Sequence, residues 1–292
     1  MLNAIFDFNG TMFFDEAFQE KAWQQYMTEK LGRRIKPEEF QTWIHGRNTG
    51  DTLEYFFGRP FPQQEADEEE EAEETIYRAL CRQSPDYKLA DGLVEFLDFL
   101  AAHKIPRTIA TASCGNNVRF FFDTLGLDRW FDLDKVIYND GTLPGKPAPD
   151  LYLKAAQRLC VAPETCVIFE DSGAGIESAQ RAGAKKVVGI ASMKKPAELE
   201  TLGVDAVIGD YTETGKNFGS IIFLTAPFTA ASRITKNGMY CTLVREQYMP
   251  FLFIVLLRGN SVVFFRFALS RQTLPHKRSS IANGGQTALH AV

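Results

Sequence analysis

Up to residue 210 the chain alternates between two kinds of apolar pattern. Short runs rich in Val, Ile and Phe read "LNAIFDF" (2–8), "RTIATA" (107–112), "KVIYND" (135–140), "CVIFED" (166–171), "KKVVGIA" (185–191) and "DAVIGD" (205–210). Continuous apolar runs of this length predict strands buried on both faces of a parallel sheet. Between them, "ADGLVEFLDFLAAHK" (90–104), "GNNVRFFFDTLGL" (115–127), "APDLYLKAAQRL" (148–159) and "GIESAQRAG" (175–183) carry helical spacing. Gly126 and Gly183 are placed to end two of these helices. Strand alternating with helix predicts an α/β fold, a doubly wound parallel sheet.

One interval breaks the alternation. Residues 15–88 hold helical patterns and no strand: "EAFQEKAWQQYMTEKLG" (16–32), "KPEEFQTWI" (36–44), "GDTLEYFF" (50–57) and "QQEADEEEEAEETIYRALCRQ" (63–83). The expected organisation is therefore an α/β core from residues 1–14 and 89–216, with a helical insertion at 15–88. The acidic run from Glu65 to Glu74 is expected to be a solvated helix face.

Charge divides the chain once more. After Lys216 only Glu246 is acidic, against eight Lys or Arg residues. This 217–292 tail contains the apolar stretch "MPFLFIVLLRGNSVVFFRFALS", which Arg258, Gly259, Asn260 and Arg266 interrupt. Its longest uncharged segment is shorter than the roughly 20 residues a spanning helix needs. No recognisable domain is found in 217–292, which is expected to be poorly ordered, and its end, "PHKRSSIANGGQTALHAV", has no periodicity and reads as disordered. A genuine appendage and an extension read past the original frame both fit such a tail.

A chain of 292 residues, 45% hydrophobic, is long enough to bury one large or two smaller cores. The net charge of −5 argues against nucleic acid as a partner. The five cysteines form no CxxC pair and have no metal-ligand spacing, which fits thiols that stay reduced. With "AIFDF" so near the start, a cytoplasmic location without membrane attachment is expected.

Candidate chemistry lies at the carboxyl ends of the predicted strands, where doubly wound sheets bind ligands. The first offers Asp7 and then Asn9-Gly10-Thr11; the second, Thr111-Ala112-Ser113. Lys146 lies in "GKPAPD", and another strand ends in Glu170-Asp171 before "SGAGI". Singly each has an ordinary structural role: Asn-Gly is a turn signal, Thr and Ser cap helices, and acidic residues complement a helix dipole. Together they supply a carboxylate nucleophile, a hydroxyl and an ammonium for phosphate oxygens, and an acidic pair for a hard cation.

These motifs resemble those of the haloacid dehalogenase superfamily, in the branch of small-molecule phosphatases and beta-phosphoglucomutase. "DFNGT", "TAS", "GKPAPDLYLKAA" and "FEDSGAGIESAQRAG" are similar to its four motifs, and the resemblance spans residues 1 to about 213. It implies a Rossmann-like core with the 15–88 insertion as a helical cap. It implies Asp7 as the nucleophile that forms an aspartyl-phosphate, with Thr111, the Ala112 amide, Ser113 and Lys146 around the phosphate. Mg²⁺ is the implied cofactor, on Asp7, the main-chain carbonyl of Asn9 and Asp171, with Glu170 in support. A small phosphorylated metabolite is the implied partner, for a monomer or weak dimer. In the cap, Gly46-Arg47-Asn48 would present a guanidinium to a substrate phosphate or carboxylate, and a structural role for Arg47 in the cap helix fits equally.

Asn9 departs from the family pattern, which places a general acid and base there. An amide supplies neither, and such catalysis contributes about 10²–10⁴-fold. A slow or specialised phosphatase for good leaving groups, a phospho-ligand binder with little turnover, and deamidation of Asn9-Gly10 to aspartate all follow from that. Asn9→Asp is expected to raise turnover of alkyl phosphates, and Asn9 itself can still donate a hydrogen bond to phosphate or the leaving oxygen. Gln19 stands where the mutase pattern has a histidine, which argues against efficient phosphomutase activity.

Overall fold

The computed structural model describes residues 2–44 and 49–216, together with the backbone of strands 233–234, 240–244, 251–258 and 261–268. The chain forms two compact units, 1–225 and 226–292.

In the first unit, every predicted strand is present: β1 (Asn3–Phe6), β2 (Arg107–Cys114), β3 (Ile137–Asn139), β4 (Cys166–Glu170), β5 (Lys186–Ile190) and β6 (Ala206–Ile208). They form one parallel sheet in the order β3-β2-β1-β4-β5-β6. The order runs outward in opposite directions from the middle, so β1 and β4 flank the point where the winding reverses. Strand β2 runs two residues beyond the expected end, carrying Ser113 and Cys114 in the strand.

Alternation within β1 assigns its side chains to two cores. Ala4 and Phe6 enter the cluster with Phe96, Phe131 and Phe169 beneath α5 (Leu93–Ala102) and α6 (Gly115–Leu125). Ile5 enters the opposite cluster beneath α7 (Asp150–Arg158) and α8 (Gly173–Arg181). Short α9 (Pro196–Glu200) adds Leu199 to that second face. Phe6 and Phe169 stack with ring centroids 4.6 Å apart, which locks β1 against β4. Gly126 ends α6 with a left-handed backbone, as its position predicts.

The insertion is helical: α1 (Glu16–Leu31), α2 (Pro37–Glu39) with a π-helical turn at Phe40–Ile44, α3 (Thr49–Phe57) and α4 (Gln63–Gln83). Trp23, Tyr26, Met27, Leu53, Phe56 and Ala66 form its own core. The expectation of a solvated acidic face on α4 needs correcting. Asp67 and Glu68 are exposed, but Glu73 is buried at 2% exposure, and Glu74 is partly buried with its Oε2 accepting from Asn117 Nδ2. The reason is packing: α4 meets α1 on one side and α6 on another, so a ten-residue acidic run cannot stay on one solvent face.

The second unit contains an antiparallel sheet, β7 (Arg233–Ile234), β8 (Tyr240–Val244), β9 (Phe251–Arg258) and β10 (Ser261–Ala268), in the order β10-β9-β8-β7. Arg258 pairs with Ser261 in the antiparallel β9–β10 pair. The carboxyl-terminal segment read as disordered lies outside the described residues. Among those described, no helix is long and apolar enough to cross a membrane.

Candidate active site

Asp7 follows β1 directly, and its N–H donates to Phe169 O at 3.0 Å. That bond brings Asp7 beside Glu170 and Asp171 at the end of β4. Lys146, from the loop after β3, closes the group: Nζ lies 2.7 Å from Asp7 Oδ1 and also pairs with Glu170 Oε1. Asp7, Glu170 and Asp171 place one carboxylate oxygen each within 4.8 Å of one another, all buried.

Each carboxylate is held differently. Glu170 accepts from the Tyr152 hydroxyl at 3.0 Å and from Ser172 N and Oγ at 2.8 and 3.0 Å. With Lys146 added, both of its oxygens are committed. Asp171 accepts from Thr11 Oγ1 at 3.1 Å. Gly10, with φ +72°, lets the turn pass over Asp171, where a Cβ would stand 2.3 Å from Oδ2. Thr111 is buried, and its Oγ1 accepts from Ser113 N at 3.1 Å, while Ala112 is exposed at the sheet end. Gly46, Arg47 and Asn48 lie outside the described residues.

Burial and the Glu170 charge push the Asp7 carboxyl up to about 7, against the pull of Lys146. Burial, Glu170 and Asp7 likewise raise Asp171 well above the usual carboxylate range. Burial works against the Lys146 charge, but Asp7 and Glu170 outweigh it and hold the ammonium well above the ordinary lysine range. Three buried carboxylates against one ammonium leave an excess of negative charge on an all-oxygen donor set. That arrangement fits a hard divalent cation.

A family model for haloacid dehalogenase-like hydrolases matches residues 2–183. The chain belongs to that family. This hydrolase is 28% identical over 197 residues to the phosphorylated carbohydrates phosphatase of Thermotoga maritima, covering 64% of this chain and 83% of the relative. It is 32% identical over 194 residues to the validoxylamine A 7'-phosphate phosphatase of Streptomyces hygroscopicus, covering 62% and 81%. Among solved structures, a family IA, variant 3 HAD hydrolase from Entamoeba histolytica is 36% identical with a TM-score of 0.72. That similarity covers 99% of the solved chain and 76% of this one.

Two side chains of this hydrolase's site are not singled out by the sequence: Tyr152, which lies within the "GKPAPDLYLKAA" motif, and Asp15, which lies outside all four motifs. Tyr152, on α7, orients Glu170 from behind. Asp15, at the start of α1, is buried beside Asn9: its Oδ2 accepts from Asn9 Nδ2 at 2.6 Å and from the Tyr77 hydroxyl at 3.0 Å. Burial raises the Asp15 carboxyl, while the bonds from Asn9, Tyr77 and Gln19 work in the other direction. Asn9 Nδ2 also lies 3.4 Å from the Tyr77 oxygen, and Asn9 Oδ1 accepts from Ser113 Oγ at 2.6 Å. The Asn9 NH₂ is thus bonded within the protein, to Asp15 and Tyr77. Deamidation is opposed by the same geometry. The Gly10 nitrogen that would attack the Asn9 side chain donates its hydrogen to Phe13 O and to Asp15 Oδ1, at 2.7 and 3.0 Å.

Proposed function

We propose that this hydrolase is a Mg²⁺-dependent phosphatase for a small phosphorylated metabolite, with Asp7 as nucleophile and a preference for good leaving groups. The observation that carries the reading is the meeting of Asp7, Lys146, Glu170 and Asp171 where the sheet reverses its winding. Its relatives named as phosphatases of phosphorylated carbohydrates and of validoxylamine A 7'-phosphate support the substrate class.

Asp7 attacks phosphorus in line and carries the phosphoryl group as an aspartyl-phosphate until water hydrolyses it. Lys146 offsets repulsion between Asp7 and the incoming dianion, and with Thr111 and the Ala112 amide it stabilises the charge on the transferring oxygens. Asp7, Asp171 and the main-chain oxygen of Asn9 would hold Mg²⁺, which when bound supplies further neutralisation of that charge. Glu170, saturated by Lys146, Tyr152 and Ser172, fixes the lysine and steadies the acidic end of β4. Thr11 orients Asp171.

Asn9 donates no proton to a leaving alkoxide, so ester hydrolysis depends on a leaving group that departs as a stable anion. A second reading, a phospho-ligand binder with little turnover, is favoured by the commitment of the Asn9 NH₂ to Asp15. The two separate on a substrate panel with Mg²⁺. Turnover of acetyl phosphate or p-nitrophenyl phosphate that is lost in Asp7→Ala supports the phosphatase. Binding of phosphate esters without turnover across the panel supports the binder.

A further inference from the structure

Asp15 is a buried carboxylate that the mechanism does not use. It occupies the position before α1 where an aspartate usually caps the helix, yet its side chain makes no capping bond. It turns back to the loop after β1 instead. Oδ1 accepts from Gly10 N at 3.0 Å, and Oδ2 accepts from Asn9 Nδ2 at 2.6 Å, Tyr77 OH at 3.0 Å and Gln19 Nε2 at 3.4 Å. At the far end of the Asn9 carboxamide, Ser113 Oγ donates to Oδ1 at 2.6 Å. The amide is thereby gripped at both ends by residues from the start of α1, from α4 and from β2.

We propose that Asn9 and Asp15 form a matched carboxamide–carboxylate pair, in which Asp15 is the positioning residue for Asn9 and a carboxylate at position 9 is accommodated only when position 15 becomes an amide. The argument is one of hydrogen-bond complementarity. The contact at 2.6 Å needs one donor and one acceptor. With Asn9→Asp alone, two buried carboxyl groups would face each other there, and only a proton shared between them would bridge the contact, so position 9 would hold no free carboxylate. The Tyr77 hydroxyl has a single hydrogen and the Gly10 N–H serves the other Asp15 oxygen, so neither relieves the clash.

Exchanging both residues removes the conflict. The amide at position 15 keeps its oxygen on the Gly10 N–H, and its NH₂ donates to the new carboxylate at position 9. The Tyr77 hydroxyl turns from donor to acceptor, and Ser113 donates to position 9 as before. This inference rests on the phosphatase reading for its catalytic consequence: the double exchange puts a carboxyl group at position 9 of a site that keeps its Gly10 and Ser113 bonds, with the Gln19 amide turned to present its oxygen to position 15. The single change Asn9→Asp, which the sequence alone suggests as sufficient, is not.

The test uses the full chain as wild type, Asn9→Asp, Asp15→Asn and the double variant. Melting temperature is read first, then turnover of p-nitrophenyl phosphate against glycerol phosphate. Asn9→Asp alone is expected to melt about 5 °C or more below wild type, and the double variant to recover most of that loss. On glycerol phosphate the double variant is expected to exceed wild type by about 10²-fold or more, and to exceed Asn9→Asp as well. A purely structural role for Asp15 would restore melting without that change in leaving-group preference. Additive melting shifts across the cycle, or Asn9→Asp as stable and as active as the double variant, would overturn the pairing. If no variant turns over any phosphate but the melting shifts are coupled, the pairing stands and the phosphatase reading falls.

Discussion

Asp7 and Lys146, 139 residues apart in the chain, meet at 2.7 Å where the turn after β1 faces the loop after β3. The lysine is the cation shared by Asp7 and Glu170, so its removal exposes buried carboxylates to each other. Lys146→Met is expected to lower kcat on p-nitrophenyl phosphate by about 10²–10³-fold. It should also lower the melting temperature in metal-free buffer, with part of the loss recovered by Mg²⁺. Steady-state kinetics and paired thermal melts check both effects.

Metal uptake is expected to be coupled to proton release. Burial and Glu170 raise Asp7 to about 7, so below that pH the carboxyl carries a proton that a cation must displace. Apparent Mg²⁺ affinity should therefore rise with pH through about 7, as Asp7 ionises, with the raised Asp171 adding to the same direction. Calorimetry at neutral pH in two buffers of different ionisation enthalpy should give different apparent heats. Equal heats would show that neither Asp7 nor Asp171 gives up a proton to the metal.

Gly175 is required by space. A Cβ there would lie 1.7 Å from Glu170 Oε1, and Glu170 is fully buried and held by Lys146, Tyr152 and Ser172. The carboxylate has nowhere to swing. Gly175→Ala is expected to cost about 1–3 kcal/mol of stability through overpacking and to weaken Mg²⁺ binding. Denaturant melts and metal titration of the variant measure these losses.

Glu74 gives a pH dependence located in the helical insertion. Burial raises its carboxyl to about 7, against the hydrogen bond from Asn117. Between its ordinary value of 4.5 and about 7, the folded protein holds a proton that the unfolded chain has released. Its contribution to stability is thus full below that window and is lost as pH rises through about 7. Glu74→Gln should remove this part of the slope, so that the fall in melting temperature from about pH 5 to pH 8 is smaller than in wild type.

The sheet was legible in the sequence because its inner strands are continuous apolar runs buried on both faces, as Cys166 to Glu170 illustrates, and the edge strands Ile137–Asn139 and Ala206–Ile208 keep the apolar run with less burial. Asp7, Glu170 and Asp171 were legible because they stand at strand ends, where backbone geometry dictates position, and Lys146 because of the "GKPAPD" motif around it. Asp15 was not. In sequence it is an ordinary residue before a helix, and only the fold brings Tyr77, 62 residues on, to its carboxylate. Tyr152 was read as part of an amphipathic helix, and nothing local says that its hydroxyl reaches Glu170. Glu73 and Glu74 read as solvated because their neighbours are acidic. Their burial depends on how α4 packs against α1 and α6, which the acidic pattern does not encode.

The central claim is that Asp7 carries the phosphoryl group. Brief reaction of the full chain with acetyl phosphate and Mg²⁺, followed by acid quench, borohydride reduction and peptide mapping, tests it most directly. The account predicts reduction of the acyl phosphate at Asp7 to homoserine, dependent on Mg²⁺ and absent from Asp7→Asn. Substrate turnover with no modification at Asp7, or modification that persists in Asp7→Asn, would contradict it.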